Sequence, residues 1–172
     1  MERPVPIIRE MTIADAAAVV ALNQAVVKVT SPMDTVGFGE LYHLSNVRWV
    51  ADSNGEVVAF ILAMAEGQAY PNGNYQWFSA RLKNFLYIDR VVVSAARQGF
   101  GVGRLLYSHL NDWARQASVL SVCGEIDSDP PNLASLRFHE KAGFISMGNR
   151  LLASGKQVSM QLYMVTETSS KS

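Results

Sequence analysis

The sequence has 172 residues, 49% of them hydrophobic, and its 15 Lys and Arg residues balance its 15 Asp and Glu residues. A globular chain of this length can bury a substantial core, so we predict a single domain over 1–172. A net charge of zero, without a long basic run, argues against a nucleic-acid binder that is held by phosphate contacts.

The cellular compartment is indicated by the single cysteine, Cys123. It rules out an internal disulfide and favours a reducing environment. The first ten residues lack the apolar core of a secretion signal, and no apolar stretch reaches the roughly 20 residues that a bilayer span requires. We therefore predict a cytoplasmic protein, with a polar tail at 166–172 that is frayed.

Residues 1–65 predict a strand, two helices and a β-hairpin. Thr12 with Asp15 three residues later is a helix-start signal, and Pro32 follows the end of the first helix. Asn54-Gly55 is typical of a tight hairpin turn. The predicted elements are a strand at 5–10, a helix at 13–27, a weaker helix at 33–45 and strands at 47–52 and 56–65.

Residues 66–82 lack a clear periodicity and predict a long loop, which at this length is typical of a mobile or functional segment. Tyr70, Tyr75, Trp77 and Phe78 lie in it. These aromatic residues could line an acceptor pocket, pack the loop onto the core or form a subunit contact. We favour packing or a contact in a homodimer.

The second half alternates strands with helices and closes with two strands. An apolar stripe from Leu105 to Trp113 predicts one buried helix face, and a strand flanked by helices is typical of a parallel crossover. The predicted elements are strands at 84–93, 119–126, 144–152 and 157–165, with helices at 102–117 and 132–143. The order predicts an α/β (α+β) fold with a mixed sheet of about seven strands and about four helices.

Three glycines, Gly99, Gly101 and Gly103, occupy the junction between a strand and a helix. Without side chains there, backbone N–H groups at a helix N-terminus can approach an anion such as a pyrophosphate. Gln98 and Arg104 can add hydrogen bonds or charge at the rim. The spacing differs from the dinucleotide and nucleoside-triphosphate fingerprints, and the alternative is a tight turn without a ligand.

Two motifs resemble those of the GNAT (GCN5-related N-acetyltransferase) superfamily. The segment Gln98-Gly99-Phe100-Gly101-Val102-Gly103 is similar to its acyl-CoA loop. The second motif contains Asn132, Ser135, Phe138, His139, Gly143 and Phe144, and it is similar to a helix on the CoA side. The order of elements fits this superfamily from about residue 6 to 165, and the resemblance implies a single GNAT-fold domain with its core at about 6–165 and a sheet that is splayed at the acyl-CoA site.

The resemblance also implies acetyl-CoA as cosubstrate. The backbone of Val91, Val92 and Val93 would pair with the pantetheine arm, and an N–H near Val91 would polarise the thioester. Pyrophosphate would bind the amides of Gly99, Phe100, Gly101, Val102, Gly103 and Arg104. Asn132, Ser135 and Phe138 would complete the cosubstrate contacts, although Asn132 could equally be a helix N-cap.

Direct transfer to an amine needs a base and an acid. Asp89 is the first candidate base and Glu125 the second; each could instead be a solvated or salt-bridged strand-end carboxylate. His139 stands where relatives usually carry Tyr and is the candidate acid, with local packing as its alternative. Three scattered histidines and one cysteine predict no metal site.

We therefore predict an acyl-CoA-dependent N-acyltransferase that transfers acetyl to a primary amine of a small molecule or amino-acid derivative. The alternatives are a CoA-binding sensor or partner module without turnover, and a nucleotide-binding α/β protein unrelated to CoA. We expect no nucleic-acid or membrane partner. Acceptor choice should depend on residues 30–45, 66–82 and the last hairpin.

Overall fold

The computed structural model describes residues 3–167, which form seven β-strands and five α-helices. Most of the tail that we predict to be frayed, residues 168–172, lies outside this range. The strands are β1 (Ile7–Glu10), β2 (Val47–Ser53), β3 (Glu56–Ala65), β4 (Phe85–Val93), β5 (Ser121–Asp129), β6 (Ile145–Leu151) and β7 (Gln157–Met164). The helices are α1 (Ala16–Gln24), α2 (Thr35–Leu44), α3 (Gly73–Ser79), α4 (Val102–Gln116) and α5 (Leu133–Lys141), with 3-10 turns at Ile13–Asp15 and Ala95–Arg97.

The strands form a mixed sheet in the order β1-β2-β3-β4-β5-β7-β6. β4 and β5 are parallel, whereas the pairs β1–β2, β2–β3, β5–β7 and β6–β7 are antiparallel. The crossover between the two parallel strands contains α4, as parallel pairing requires. The predicted class, α/β with a mixed seven-stranded sheet, is confirmed.

One compact unit comprises the residues up to Met64 together with Ile88–Asp112. Its β2–β3 hairpin turns at Asn54 and Gly55, which both have positive φ (55° and 88°), as the Asn-Gly pair predicts. Its buried core includes side chains of β3 and of the part of α4 that precedes Trp113. Among the fully buried members are Phe60, Ile61, Leu62, Leu106 and Leu110.

The other compact unit comprises Ala65–Tyr87 and the residues from Trp113 onward. β5 pairs with β7 along its length, and β7 pairs with β6 on its other side. The first three residues of β4, Phe85–Tyr87, pair in parallel with Ser121–Cys123. The core of this unit includes Phe78, Phe85, Tyr87, Val122 and Met160.

The prediction of a structureless loop at 66–82 is wrong, because this segment contains α3. The Asn72 side-chain oxygen caps the helix by accepting the N–H groups of Asn74 and Tyr75 at 2.9 and 3.1 Å. Tyr75 and Phe78, three residues apart, then place their rings in the core. The extra helix raises the count from about four to five.

Candidate functional site

The glycine-rich junction is an open turn that leads directly into a helix. β4 ends at Val93, a 3-10 turn follows at Ala95–Arg97, and α4 begins at Val102. Gly99 and Gly101 have φ values of +80° and +81°, and a Cβ on either would meet nothing within 4 Å. The backbone conformation, not crowding, therefore requires glycine at both positions, and the space above them is open.

The turn leads into the N-terminus of α4, a kind of position at which proteins can bind anions. α4 is 15 residues long, and the first N–H groups of a helix have no partner within the helix. Only from Leu105, whose N–H donates to the Gly101 carbonyl at 3.0 Å, does the regular ladder begin. The residues from Gly99 to Arg104 thus present main-chain donors with the partial positive charge of a helix N-terminus.

The turn is held in place by hydrogen bonds to β2, β3, β4 and the segment before β1. The Ser94 N–H donates to the Val58 carbonyl at 2.9 Å, and the Gln98 side-chain amide donates to the Val93 carbonyl at 3.3 Å. The buried Arg97 guanidinium donates to the Ser53 hydroxyl and the Pro4 carbonyl. Sequence reasoning missed this role of Arg97, although it stands directly before the glycine motif.

Asp89, the first candidate base, forms a buried ion pair with the next residue. The Arg90 Nε donates to the Asp89 carboxylate at 2.7 Å, and the Asp89 side chain is only 3% exposed. Arg90 Nη1 also donates to Asn23 Oδ1 at 3.0 Å and to the Ser31 carbonyl at 3.1 Å. The pair therefore connects β4 to α1 and to the α1–α2 connection.

Glu125, the second candidate base, accepts a hydrogen bond from a buried phenol. The Tyr87 hydroxyl lies 2.9 Å from Glu125 Oε1 and 2.8 Å from Oε2. Tyr87 is fully buried, whereas Glu125 is half-buried. Sequence reasoning did not single out Tyr87, because no local pattern relates two residues 38 positions apart.

The residues of the second motif are bonded to one another at the start of α5. The Asn132 side chain caps the helix by accepting the Ser135 N–H at 3.3 Å. The His139 Nδ1 lies 2.7 Å from the Ser135 carbonyl, which makes Nδ1 the protonated nitrogen of a neutral ring. Phe138 and Phe144 meet the His139 ring edge-on, with centroids 5.4 and 5.0 Å away.

Burial has a direct consequence for the charge of His139. The residue is 7% exposed, and desolvation lowers the pKa of the imidazole below its usual 6.5, although the hydrogen bond to Ser135 opposes the shift. The neutral form is therefore dominant at neutral pH. An imidazolium that protonates a thiolate is populated only toward lower pH.

Two other classes of site receive no support from the described residues. Across 3–167, no group of three or more His, Cys, Asp or Glu side chains could hold a metal ion. Cys123 is fully buried, and burial together with the nearby Glu125 charge raises the pKa of its thiol. Nor does any helix in this range have the length and apolarity to cross a membrane.

The profile of the Acetyltransferase (GNAT) family matches residues 24–144, which include β2 to β5 and both predicted motifs. The chain belongs to the GNAT acetyltransferase family. No curated protein is similar enough in sequence to count as a relative. Family membership assigns the chain to the acetyl-CoA-dependent acyltransferases.

Solved structures share the fold over almost the whole chain. Ard1 from Thermoplasma volcanium is 20% identical, with a TM-score of 0.77 over 95% of this chain and 100% of its own. YncA from Salmonella typhimurium, a putative acetyltransferase with its cofactor acetyl-CoA, is 23% identical, with a TM-score of 0.70 over 98% and 99%. The ribosomal-protein-S18-alanine N-acetyltransferase from Escherichia coli is 17% identical, with a TM-score of 0.71 over 96% and 97%. These likenesses confirm the GNAT fold.

Proposed function

We propose that this GNAT protein is an N-acetyltransferase that transfers acetyl from acetyl-CoA directly to a primary amine of a small molecule or amino-acid derivative. The observation that carries the proposal is the open glycine turn at the N-terminus of α4. Family membership supplies acetyl-CoA as the donor, and the turn supplies open space at Gly99 and Gly101 next to a helix N-terminus, where a pyrophosphate can approach the main chain.

The donor-binding role rests on main-chain groups of one compact unit. The amides from Gly99 to Arg104 would hold the pyrophosphate, and the exposed Arg104 side chain would add positive charge at the rim. Upstream, the backbone of Val91, Val92 and Val93 would pair with the pantetheine arm. An N–H near Val91 would stabilise the negative charge that develops on the thioester oxygen.

In the proposed reaction a base removes one proton from the substrate ammonium, and the free amine attacks the thioester carbon. A C–N bond forms, the C–S bond breaks, and its electron pair leaves on sulfur. The thiolate takes its proton from the imidazolium of His139, the predicted acid, and the second proton of the attacking nitrogen replaces it on the imidazole. The products are the amide and CoA thiol, and the base returns its proton to solvent.

Between the two carboxylates, we infer that Glu125 is the base. The Asp89 carboxylate is directed at Arg90 in a buried ion pair, so accepting a proton would compete with a structural contact. Glu125 is half-buried and bonds to an uncharged hydroxyl. A carboxylate has about four acceptor positions, so it can take a proton from an ammonium while Tyr87 stays bound.

His139 stays the predicted acid, with a constraint from its burial. If the imidazolium protonates the departing thiolate, turnover must fall as pH rises through a pKa that lies below 6.5. His139→Ala should then cut turnover by about 10²-fold while leaving acetyl-CoA affinity unchanged. A variant with wild-type turnover would remove His139 from the mechanism and leave proton transfer to water.

The acceptor is proposed to be small because the aromatic residues of 66–82 do not form an open peptide-binding surface. Tyr75 and Phe78 are buried in the core, and the Trp77 ring is covered by Arg81 at 3.9 Å. This packing supports the interpretation, favoured from the sequence, that the aromatic residues of 66–82 pack rather than line an acceptor pocket.

A thiol-release assay with acetyl-CoA and a panel of amines tests the proposal. The panel should contain small amines, amino-acid derivatives and short peptides with free N-termini. Thiol release with a small amine supports the proposal, and release with peptides alone refutes the acceptor class. Acetyl-CoA-dependent thermal stabilisation without thiol release for any amine would favour the CoA-binding module without turnover.

A further inference from the structure

The hydroxyl of Tyr87 makes its hydrogen bond in the core of the protein, where an unbonded phenol would be costly. The side chain is 0% exposed, and its oxygen lies within 2.9 Å of both carboxylate oxygens of Glu125. A hydrogen bond to a charged acceptor is stronger than one between neutral groups. The contact therefore fixes the orientation of the carboxylate as well as its position.

Strand register explains why these two side chains meet. Tyr87 pairs with Cys123 at the last parallel pair of β4 with β5, and Glu125 follows Cys123 by two residues. Because side chains alternate along a strand, Cys123 and Glu125 project from the same face. The length of the phenol lets its hydroxyl reach the diagonal neighbour on that face.

The Tyr87 ring is fixed by other aromatic rings, so its hydroxyl has a defined location. Tyr75 meets it edge-on with centroids 5.5 Å apart, and Phe78 lies at 5.9 Å. A ring held in this way positions a bonded carboxylate more strictly than a flexible donor could. The arrangement is that of a rigid support beneath a reacting group.

We propose that Tyr87 is a positioning residue that holds the Glu125 carboxylate in the orientation needed to take the proton of the acceptor ammonium. This inference rests on the proposed function and deepens it. Tyr87 keeps its own proton throughout, while Glu125 receives the ammonium proton and later releases it to solvent.

Tyr87→Phe tests the proposal, because it removes only the hydroxyl and keeps the packed ring. We expect kcat for the acceptor identified by the thiol-release assay to fall by about 10-fold or more, as expected for losing a hydrogen bond to a charged group. The dissociation constant for acetyl-CoA, measured by calorimetry, should not change. If Tyr87 only stabilised the fold, the variant would not lower kcat while leaving the dissociation constant for acetyl-CoA unchanged.

Tyr75→Phe is the matched control. The Tyr75 hydroxyl is also inside the same unit, but it donates to the Ala65 carbonyl at 2.7 Å and accepts the Gln68 N–H at 3.0 Å. Both variants lose a buried phenol hydroxyl, so both should be less stable. Only Tyr87→Phe should lose turnover, and equal losses in the two variants would refute the positioning role.

A double-mutant cycle links the effect to Glu125. In a Glu125→Gln background, Tyr87→Phe should have no further effect on kcat, because the group that it positions no longer works as a base. Additive effects would overturn the proposal, as would a Tyr87→Phe kcat within twofold of wild type. If Tyr87→Phe does not fold, Glu125→Asp retracts the carboxylate from Tyr87 and should produce a similar loss.

The outcomes separate this inference from the proposed function. A wild-type protein that releases no thiol with any amine refutes the function, and the positioning role with it. A wild-type protein that is active, with full activity in Glu125→Gln, leaves the function standing and refutes the role of the Tyr87–Glu125 pair.

Discussion

A glutamate at position 101 should abolish CoA binding and leave the fold intact. Gly101 has a φ of +81° and open space around it, so a side chain there costs backbone strain but no collision. That strain is about 1–2 kcal/mol for a residue other than glycine. In a protein of this size it should lower Tm by about 2–8 °C.

The effect on binding should be much larger than the effect on stability. A carboxylate about 4 Å from a phosphate oxygen contributes about 4 kcal/mol of repulsion at the effective dielectric of a protein surface. This corresponds to a loss of affinity approaching 10³-fold. Isothermal titration calorimetry with CoA measures it, and Gly101→Gln separates the contribution of charge from that of bulk.

Gly155 offers a matched control elsewhere in the chain. It lies in the turn between β6 and β7, with a φ of +87°, and a Cβ added there would meet no atom within 4 Å. Gly155→Glu should therefore cost the same stability and leave CoA affinity unchanged. Comparable affinity losses at positions 101 and 155, or a Gly101→Glu protein that binds CoA within threefold of wild type, would refute the phosphate-loop assignment.

Two further predictions concern buried side chains of the compact unit that contains β5, β6 and β7. Because burial lowers the pKa of His139, the unfolded chain binds more protons below about pH 6.5, and the stability that neutral His139 provides is lost as pH falls from there. His139→Phe should lose less stability than wild type between pH 7.5 and 5 in urea denaturation, and parallel losses would contradict this. Cys123, whose thiol pKa is raised by burial, should resist a disulfide reagent at pH 8 in the native protein and react fully in urea. Rapid labelling of the native protein would show that the thiol is accessible.

The glycine turn could be predicted from sequence because its requirement is local. Positive φ at Gly99 and Gly101 disfavours most other residues, so the backbone conformation can be inferred from the glycines in the sequence. The Asn54-Gly55 hairpin could be predicted for the same reason. In contrast, α3 was missed because it is only seven residues long, too short for a helical period to emerge.

The contact between Tyr87 and Glu125 could not be predicted, because it depends on register between strands. Asp89 and Glu125 look equivalent in sequence, each near the end of an apolar strand. Only the pairing of Tyr87 with Cys123 shows that Glu125 meets a phenol. The Asp89–Arg90 contact is hidden for another reason, since successive strand residues project to opposite faces and only a long side chain can fold back to bond its neighbour.

The environments of Asp89 and Glu125 predict opposite effects on stability and turnover when the charge of either carboxylate is removed. Asp89→Asn leaves the buried Arg90 guanidinium without its anion, so the free energy of unfolding should fall by about 3 kcal/mol. Turnover per folded molecule should survive. Glu125→Gln keeps an oxygen that can accept from Tyr87, so stability should change little, while turnover should fall by about 10²-fold or more.

Measuring both quantities on both variants decides between the carboxylates. Urea denaturation gives the stability, and thiol release normalised to the folded fraction gives the turnover. If Asp89→Asn were stable and slow while Glu125→Gln were fully active, the base would be Asp89. The Asp89–Arg90 ion pair would then have to break during each turnover, because a carboxylate that is bonded to a guanidinium must give up that bond to receive a proton.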